Sequence, residues 1–215
     1  SDFNINENGG FYLEEFTQNT DKYDAQTDLN AGYIMLDNNI GKHLRASWGA
    51  RVEHYFQNID VTDLSGTGRT YDQTFFDVLP SLNLTYSLSD EANLRLSASR
   101  TVNRPELREL APFAFYDFVT QTSTLGNPEL KRGQISNLDL RYEIYPKAGQ
   151  AITASLFFKD FTDPIEQVLD GGGTPERRQI NFQNVSEARS YGFELEVRRK
   201  LDFFNNSLLR NLTAY

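Results

Sequence analysis

The sequence contains no cysteine and only two histidines, His43 and His54. The lack of cysteine excludes a disulfide framework, a thiolate metal site and a cysteine nucleophile. Two histidines on opposite sides of a short segment are too few to suggest a histidine metal cluster, and they argue against a Ser-His-Asp triad. The sequence also offers no candidate pair of a general acid and a general base. We therefore expect no catalytic residue, no metal site and no cofactor, and the chain is not predicted to be an enzyme.

Long apolar runs and positive charge are also scarce. No run of 18 or more apolar residues occurs, so no transmembrane helix is predicted, and the polar start at Ser1 predicts no signal peptide. Lys and Arg total 21 against 30 Asp and Glu, and the net charge of −9 argues against a nucleic-acid partner. These absences do not exclude a membrane β-barrel, because such a barrel buries only alternate residues in lipid.

The pattern that is present is a period of two. Between Ile135 and Tyr145 an apolar face alternates with a polar face, as successive side chains do along a β-strand. The apolar face carries Leu138, Leu140, Tyr142 and Ile144, and the polar face carries Asn137, Asp139, Arg141 and Glu143. Five further segments repeat this pattern, and most keep it for about ten residues, the length that a tilted strand needs to cross a bilayer.

The connections between these segments are sorted by length. Short polar turns are predicted near Gly41, at Ser89–Glu91, at Pro146–Gln150 and at Asp202–Ser207. Long excursions are predicted around Gly66, from Asn103 to Arg132, and from Thr162 to Arg189 with short strand pieces near Ile165 and Ile180. Outer-membrane barrels have short turns at one end and long loops at the other. The sequence therefore predicts an all-β, antiparallel up-and-down transmembrane β-barrel.

About eight strands can be counted, and the segment Gly9–Phe16 is either a further strand or part of a loop. An open sheet with bare edges cannot persist in a bilayer, since its edge N–H and C=O groups would be unsatisfied. The eight strands therefore close by themselves or belong to a larger barrel. Tyr215 falls inside a strand pattern, which favours the larger barrel.

Several passages then resemble a known family. They are Ser99–Pro105 with Glu109–Pro112, Gly126–Lys131, Phe157–Phe161 with Pro164–Glu166, Asn184–Val185 with Gly192–Glu194, and Ala31–Tyr33 with Gly49–Glu53. Their order and spacing resemble the barrel of TonB-dependent outer-membrane receptors. The particular residues at these motifs look like those of the Bacteroidetes branch of the family. The resemblance implies a barrel of roughly twenty-two strands. Residues 1–215 would form part of that one barrel domain, with the plug domain and the TonB box absent.

The resemblance also implies location and partners. The barrel would lie in the outer membrane of a Gram-negative bacterium and import a nutrient such as a siderophore, a glycan or a peptide. Its partners would be outer-membrane lipid, TonB through the missing N-terminal region, and a small-molecule or oligomeric nutrient. A surface lipoprotein that caps the barrel is a further candidate partner. A passive porin, a soluble all-β ligand-binding module and a barrel enzyme are the competing interpretations.

Two of the long excursions hold the candidate ligand-binding residues, and they are here called the first excursion (Asn103–Arg132) and the second excursion (Thr162–Arg189). These are Arg104, Arg108, Phe115, Tyr116 and Asp117 in the first excursion and Arg177 in the second. The residues from Pro105 to Ala111 could form one or two helical turns, because proline suits the first helical position. Arg104 either lies near a ligand or pairs with Glu106 or Glu109, and pairing is the favoured interpretation. The aromatic residues either stack on a ligand ring or pack the loop down. Charges on the polar faces of the strands are expected to form ion pairs across neighbouring strands.

Overall fold

In the computed structural model, the described residues are 2–5, 11–14, 22–62, 66–117, 119, 122–147, 149–170, 178–200 and 213–214. Almost all of this part of the chain is β-strand. None of its helices is long and apolar enough to cross a membrane. Arg177 lies outside the described residues, as does the predicted turn at Asp202–Ser207.

The main sheet has eight strands, which are antiparallel to their neighbours. They are β3 (Tyr23–Ile40), β4 (Leu44–Thr62), β5 (Gly68–Ser87), β6 (Ala92–Asn103), β9 (Gly133–Ile144), β10 (Ala151–Thr162), β13 (Glu187–Lys200) and β14 (Thr213–Ala214). The sheet order is β14-β13-β10-β9-β6-β5-β4-β3, so strands pair in the order in which the chain visits them. The predicted up-and-down arrangement is confirmed, and the sheet is open, with β3 and β14 at its edges.

Several strands are longer than the period-two pattern indicated. The alternation predicts strands over Phe75–Leu88 and Thr27–Leu36, whereas β5 begins at Gly68 and β3 begins at Tyr23. The turn between β3 and β4 occupies residues 41–43, and Gly41 has a φ of 67°, in the left-handed region that glycine favours. The N-terminal segment contributes a separate two-stranded pair of β1 (Asp2–Ile5) and β2 (Phe11–Glu14).

One face of the main sheet, here called the outer face, is apolar and exposed. Large side chains on it, such as Leu156, Phe193 and Leu195, expose 54%, 62% and 62% of their surface. A row of such size left uncovered indicates contact with another apolar phase. The apolar and polar faces match those predicted from the alternation, and this supports lipid contact along the outer face.

The two excursions leave the same end of the sheet and fold together into a structure here called the cap. It consists of α1 (Leu107–Leu110), β7 (Ala114–Asp117), β8 (Thr122–Leu125), β11 (Ile165–Asp170) and β12 (Arg178–Asn184). These four strands form a sheet in the order β11-β12-β8-β7. The parallel pairing of β8 with β12 joins the first excursion to the second.

The cap packs on the inner face of the main sheet. A hydrophobic core joins Ile59 and Val61 of β4 to the cap. On the cap side it contains Leu110 of α1, Phe182 of β12, and Leu130 from the segment between β8 and β9. Ile59, Leu110 and Leu130 are fully buried. Burying a side chain of this size contributes about 1.5–3 kcal/mol, so this small core holds the cap on β4. The core therefore anchors both excursions to the main sheet, which is here also called the wall.

Candidate functional site

Four charged residues, here called the ion cluster, connect the cap to the inner face of the wall. Arg104 donates through Nη2 to Glu53 of β4 at 2.7 Å and to Asp77 of β5 at 3.1 Å. Arg132 donates through Nε to the other oxygen of Asp77 at 2.6 Å. The side chain of Asp77 has no exposed surface. Because Arg104 and Arg132 lie at the two ends of the first excursion, the cluster fixes both ends to the wall.

Further contacts place the two guanidinium groups over aromatic rings of the main sheet. Arg104 lies over the ring of Tyr55 at 4.6 Å, and Arg132 lies over the ring of Phe75 at 4.7 Å. Such cation–π contacts gain strength when they are desolvated. The amide of Gln73 donates to the carbonyl oxygen of Leu130 at 2.9 Å, which ties the backbone of the excursion to β5.

Arg104 therefore pairs as the sequence favoured, although the expected partners Glu106 and Glu109 were wrong. Those two glutamates instead start the helix: each side chain accepts a hydrogen bond from the backbone N–H of the other, which is a capping box. The sequence did not show Glu53 and Asp77 as partners, because they are remote in the chain and meet Arg104 only through the strand register.

The end of α1 is closed by the second half of the excursion. The backbone N–H of Asn127 donates to the carbonyl oxygen of Glu109 at 2.6 Å. Gly126 lies so close to Ala111 that a Cβ atom would stand 2.2 Å from the carbonyl oxygen of Ala111. The approach therefore requires glycine, and it stacks the turn after β8 directly on the helix.

Four of the candidate ligand-binding residues line one cavity in the cap, with a volume of about 660 Å³. They are Arg108, Phe115, Tyr116 and Asp117. The guanidinium of Arg108 lies 4.4 Å from the centre of the Phe115 ring. The structure thus brings these residues together, whereas Arg104 lies in the ion cluster below.

The cavity wall is mixed in chemistry. Among the described residues, the cavity is also lined by Glu106, Glu109, Thr122, Thr124, Gln167, Ile180 and Phe182. Within this described lining, the carboxylates of Glu106, Glu109 and Asp117 face the guanidinium of Arg108, and Asp117 also accepts a hydrogen bond from the backbone N–H of Val119. Aromatic faces, hydroxyl groups and charged groups at one concave surface are typical of a small-molecule site.

The contribution of the second excursion was missed in the sequence. Gln167 of β11 and Phe182 of β12 reach the cavity only because β12 pairs with β8. Short strand pieces near Ile165 and Ile180 were visible in the alternation, but their partner strand was not.

The inner face below the cap carries ion pairs both between neighbouring strands and within single strands. Arg95 of β6 reaches Glu143 of β9 at 2.8 Å, which is a pair between neighbouring strands as expected. Arg141 pairs instead with Glu143 two residues away on its own strand at 3.0 Å, and Arg51 pairs with Glu53 in the same manner. The expectation that the pairs cross strands is therefore only partly correct. Among the described residues, no three acidic, histidine or cysteine side chains are grouped closely enough to hold a metal ion.

A meander with a lipid-facing outer side, a charged inner side and long excursions at one end is an outer-membrane β-barrel by class. A model of the outer membrane protein beta-barrel family matches residues 1–211, and the chain belongs to this family. Its place is thus the outer membrane of a Gram-negative bacterium.

Solved structures share the fold. The hemophore receptor HasR of Serratia marcescens, a double mutant in complex with its hemophore HasA and heme, has a TM-score of 0.61 at 13% identity, over 80% of this chain and 32% of that chain. The siderophore receptor PirA of Pseudomonas aeruginosa has a TM-score of 0.53 at 16% identity, over 82% and 40%. The chain thus spans less than half the length of these receptors. No curated protein sequence matches it.

Proposed function

We propose that the chain is part of a receptor barrel for nutrient uptake across the outer membrane, energised by TonB, and that the cap cavity captures the ligand. The observation that carries this proposal is the cap itself. The two excursions pair with each other and form an open, lined cavity of about 660 Å³ above the inner face of the main sheet. External loops that served only as connections would need no joint sheet and no anchoring to the wall.

The chemistry of the cavity supports a ligand with a flat face and several polar groups. Phe115 and Tyr116 offer rings for stacking, and Tyr116 exposes 52% of its surface. Arg108 offers a guanidinium that can bind a carboxylate, a phosphate or a hydroxyl oxygen. A siderophore, a glycan and a peptide each combine these features, and they are the proposed nutrient classes. We place the parent protein in the Bacteroidetes branch, with a surface lipoprotein as a candidate partner.

The proposal is tested with the full-length protein in its outer membrane. Cells would be offered a ferric siderophore, heme, an oligosaccharide and an oligopeptide, each labelled, with and without a protonophore. We expect energy-dependent uptake of one probe, lost when the TonB box of the full-length protein is deleted. Uptake of many probes without energy would instead indicate a passive porin.

Two cavity variants then test the site. Arg108→Gln and Tyr116→Leu should each weaken binding of the transported probe by about tenfold, since each loses a charge-assisted hydrogen bond or a stacking face worth roughly 1–3 kcal/mol. Val119 is the matched control, because it lies in the same excursion, exposes 92% of its surface and does not line the cavity. Val119→Ser should bind as the wild type does. Equal binding by all four proteins would remove the cavity from the proposal.

A further inference from the structure

The inner face of β6, β9, β10 and β13 changes character directly below the base of the second excursion. Three successive rows across these strands are mainly polar: Arg95, Arg141, Ser155 and Glu194; Ser97, Asp139, Phe157 and Gly192; and Ser99, Asn137, Lys159 and Ser190. The next row consists of Thr101, Ile135, Phe161 and Ala188, and its last three residues are apolar and half-buried. An apolar row on a face that is otherwise polar indicates an apolar partner.

An open cavity of about 280 Å³, here called the base cavity, lies between this row and the start of the second excursion. Its lining includes Ile135, Phe161 and Ala188 of the row, together with Pro164 and Ile165 of the excursion. At about 30 Å³ for each water-sized group, the volume corresponds to about nine such groups, enough for an arm of roughly six to eight carbon atoms. The second excursion therefore leaves part of the apolar row uncovered.

The turn that forms the upper side of the base cavity is fixed in place. The side-chain amide of Asn184 donates to the carbonyl oxygens of Asp163 at 2.8 Å and of Lys131 at 2.9 Å, so it ties the start of the second excursion to the end of the first. A Cβ atom on Gly133 would lie 3.1 Å from the carbonyl oxygen of Asp163, so the turn before Pro164 lies directly on the wall. A ligand therefore need not order this turn, and the cost of binding is lower.

The base cavity lies beside the cap cavity along β11. Gln167 is paired with Phe182 on β12, and both residues line the cap cavity. Ile165 lies two residues earlier on the same face of β11 and lines the base cavity. Two residues along a strand span about 6.8 Å, so a hydrocarbon arm of six to eight carbon atoms is long enough to reach from one cavity into the other.

We propose that the base cavity binds a saturated hydrocarbon arm of the nutrient, which is thus an amphiphile with its polar part in the cap cavity. This inference rests on the proposed function of the cap cavity. The aliphatic lining and the Phe161 ring favour hydrocarbon over a charged or hydroxylated group, which would lose hydrogen bonds to water. Asn103 and Ser190 also line the base cavity, and their amide and hydroxyl groups can hydrogen-bond an ester or amide that joins the arm to the polar part. Glu166 in the same lining disfavours an anionic group at that junction.

The test measures binding to the full-length protein in lipid nanodiscs, with binding to empty nanodiscs subtracted. The probes are the acetyl and octanoyl forms of a ferric siderophore, an oligosaccharide and an oligopeptide. For the carrier that the receptor binds, the octanoyl form should bind at least about tenfold more tightly than the acetyl form, since each buried methylene contributes about a factor of three to four. Ala188→Leu fills the base cavity and should remove this advantage. Ala154→Leu is the matched control, because it makes the same change on the outer face of β10, and it should keep the advantage.

Two results would overturn this inference while the cap cavity kept its proposed function. Equal affinity for the acetyl and octanoyl forms of a bound carrier would indicate that another part of the full-length protein fills the base cavity. An octanoyl advantage that persists in Ala188→Leu would place the arm in the lipid instead. If Ala188→Leu does not migrate as a folded barrel on a gel without boiling, Ile135→Thr gives the same contrast, because it keeps a β-branched side chain and places a hydroxyl group in the apolar lining.

Failure of the proposed function would look different. Arg108→Gln should weaken binding of the acetyl and octanoyl forms alike, because Arg108 lines the cap cavity and not the base cavity. No effect of Arg108→Gln on the acetyl form, or no binding of any of the six probes, would overturn the role of the cap cavity and this inference with it.

Discussion

Replacing Asp77 with asparagine removes the carboxylate on which both ends of the cap depend. The side chain is fully buried, and it accepts hydrogen bonds from Arg132 at 2.6 Å and from Arg104 at 3.1 Å. Arg104 keeps its contact with Glu53 at 2.7 Å, whereas Arg132, which exposes only 20% of its side chain, loses its carboxylate partner. Removing one partner of a buried ion pair costs about 3–5 kcal/mol. Each 1.4 kcal/mol is about a factor of ten, so local opening of the cap should increase by roughly 10²-fold to 4 × 10³-fold.

The assay is hydrogen exchange of backbone amides in the full-length protein, in detergent. The amides of Ala111 and Asn127 report on the cap, because both are hydrogen-bonded within the first excursion. The control is Asp37→Asn, which removes the carboxylate of an exposed pair with Arg45 at the short-turn end. It should leave the cap amides unchanged. Unchanged exchange in Asp77→Asn itself would refute the idea that the ion cluster holds the cap.

A second variant of Asp77 separates charge from shape. Asp77→Leu combined with Arg132→Met removes both charges of that pair and keeps the volume near its original value. Buried ion pairs replaced in this way are often neutral or stabilising. We expect exchange closer to the wild type than in Asp77→Asn. Faster exchange in the double variant than in Asp77→Asn would show that the geometry of the hydrogen bonds, and not uncompensated charge, sets the stability of the cap.

Two glycine positions give steric predictions. Gly126→Ala places a Cβ 2.2 Å from the carbonyl oxygen of Ala111, so the cap should lose roughly 1–3 kcal/mol or more in hydrogen-exchange measurements, whereas Gly68→Ala, with nothing within 4 Å, should not affect it. Gly192→Ala places a Cβ 2.6 Å from the Phe157 ring on the inner face. It should reduce the fraction of protein that migrates as a folded barrel on a gel without boiling, and that shifts in mobility after boiling. Phe157→Leu should restore that fraction in the double variant, and failure to do so would contradict the proposed clash.

The strand content of the wall could be predicted because a membrane strand has lipid on one side and water on the other. That contrast requires apolar and polar residues to alternate with a period of two in segments such as Ile135–Tyr145. The same reasoning underestimated β5, which begins at Gly68. Its first residues lie beside the cap, with Tyr71 packed against the core that joins the cap to β4, so the contrast between lipid and water no longer imposes alternation there.

The candidate site was only partly accessible. The sequence placed Arg108, Phe115, Tyr116 and Asp117 in one excursion, and residues that are near in the chain end up lining one cavity. Arg104 belongs to the same excursion but lies below the cavity, because its guanidinium reaches the wall instead. Local sequence cannot separate these two outcomes, since Arg104 and Arg108 lie in the same short polar stretch after the end of β6.

By itself, the sequence determined the strands, their order, the face each presents to lipid and the end that carries the long excursions. These follow from local alternation and from the length of each connection. The tertiary structure alone decided that Glu53 and Asp77 receive Arg104 and Arg132, and that Gln167 and Phe182 complete the cavity. Such contacts depend on strand register and on the pairing of β8 with β12. They are long-range choices, which no pattern within a single segment encodes.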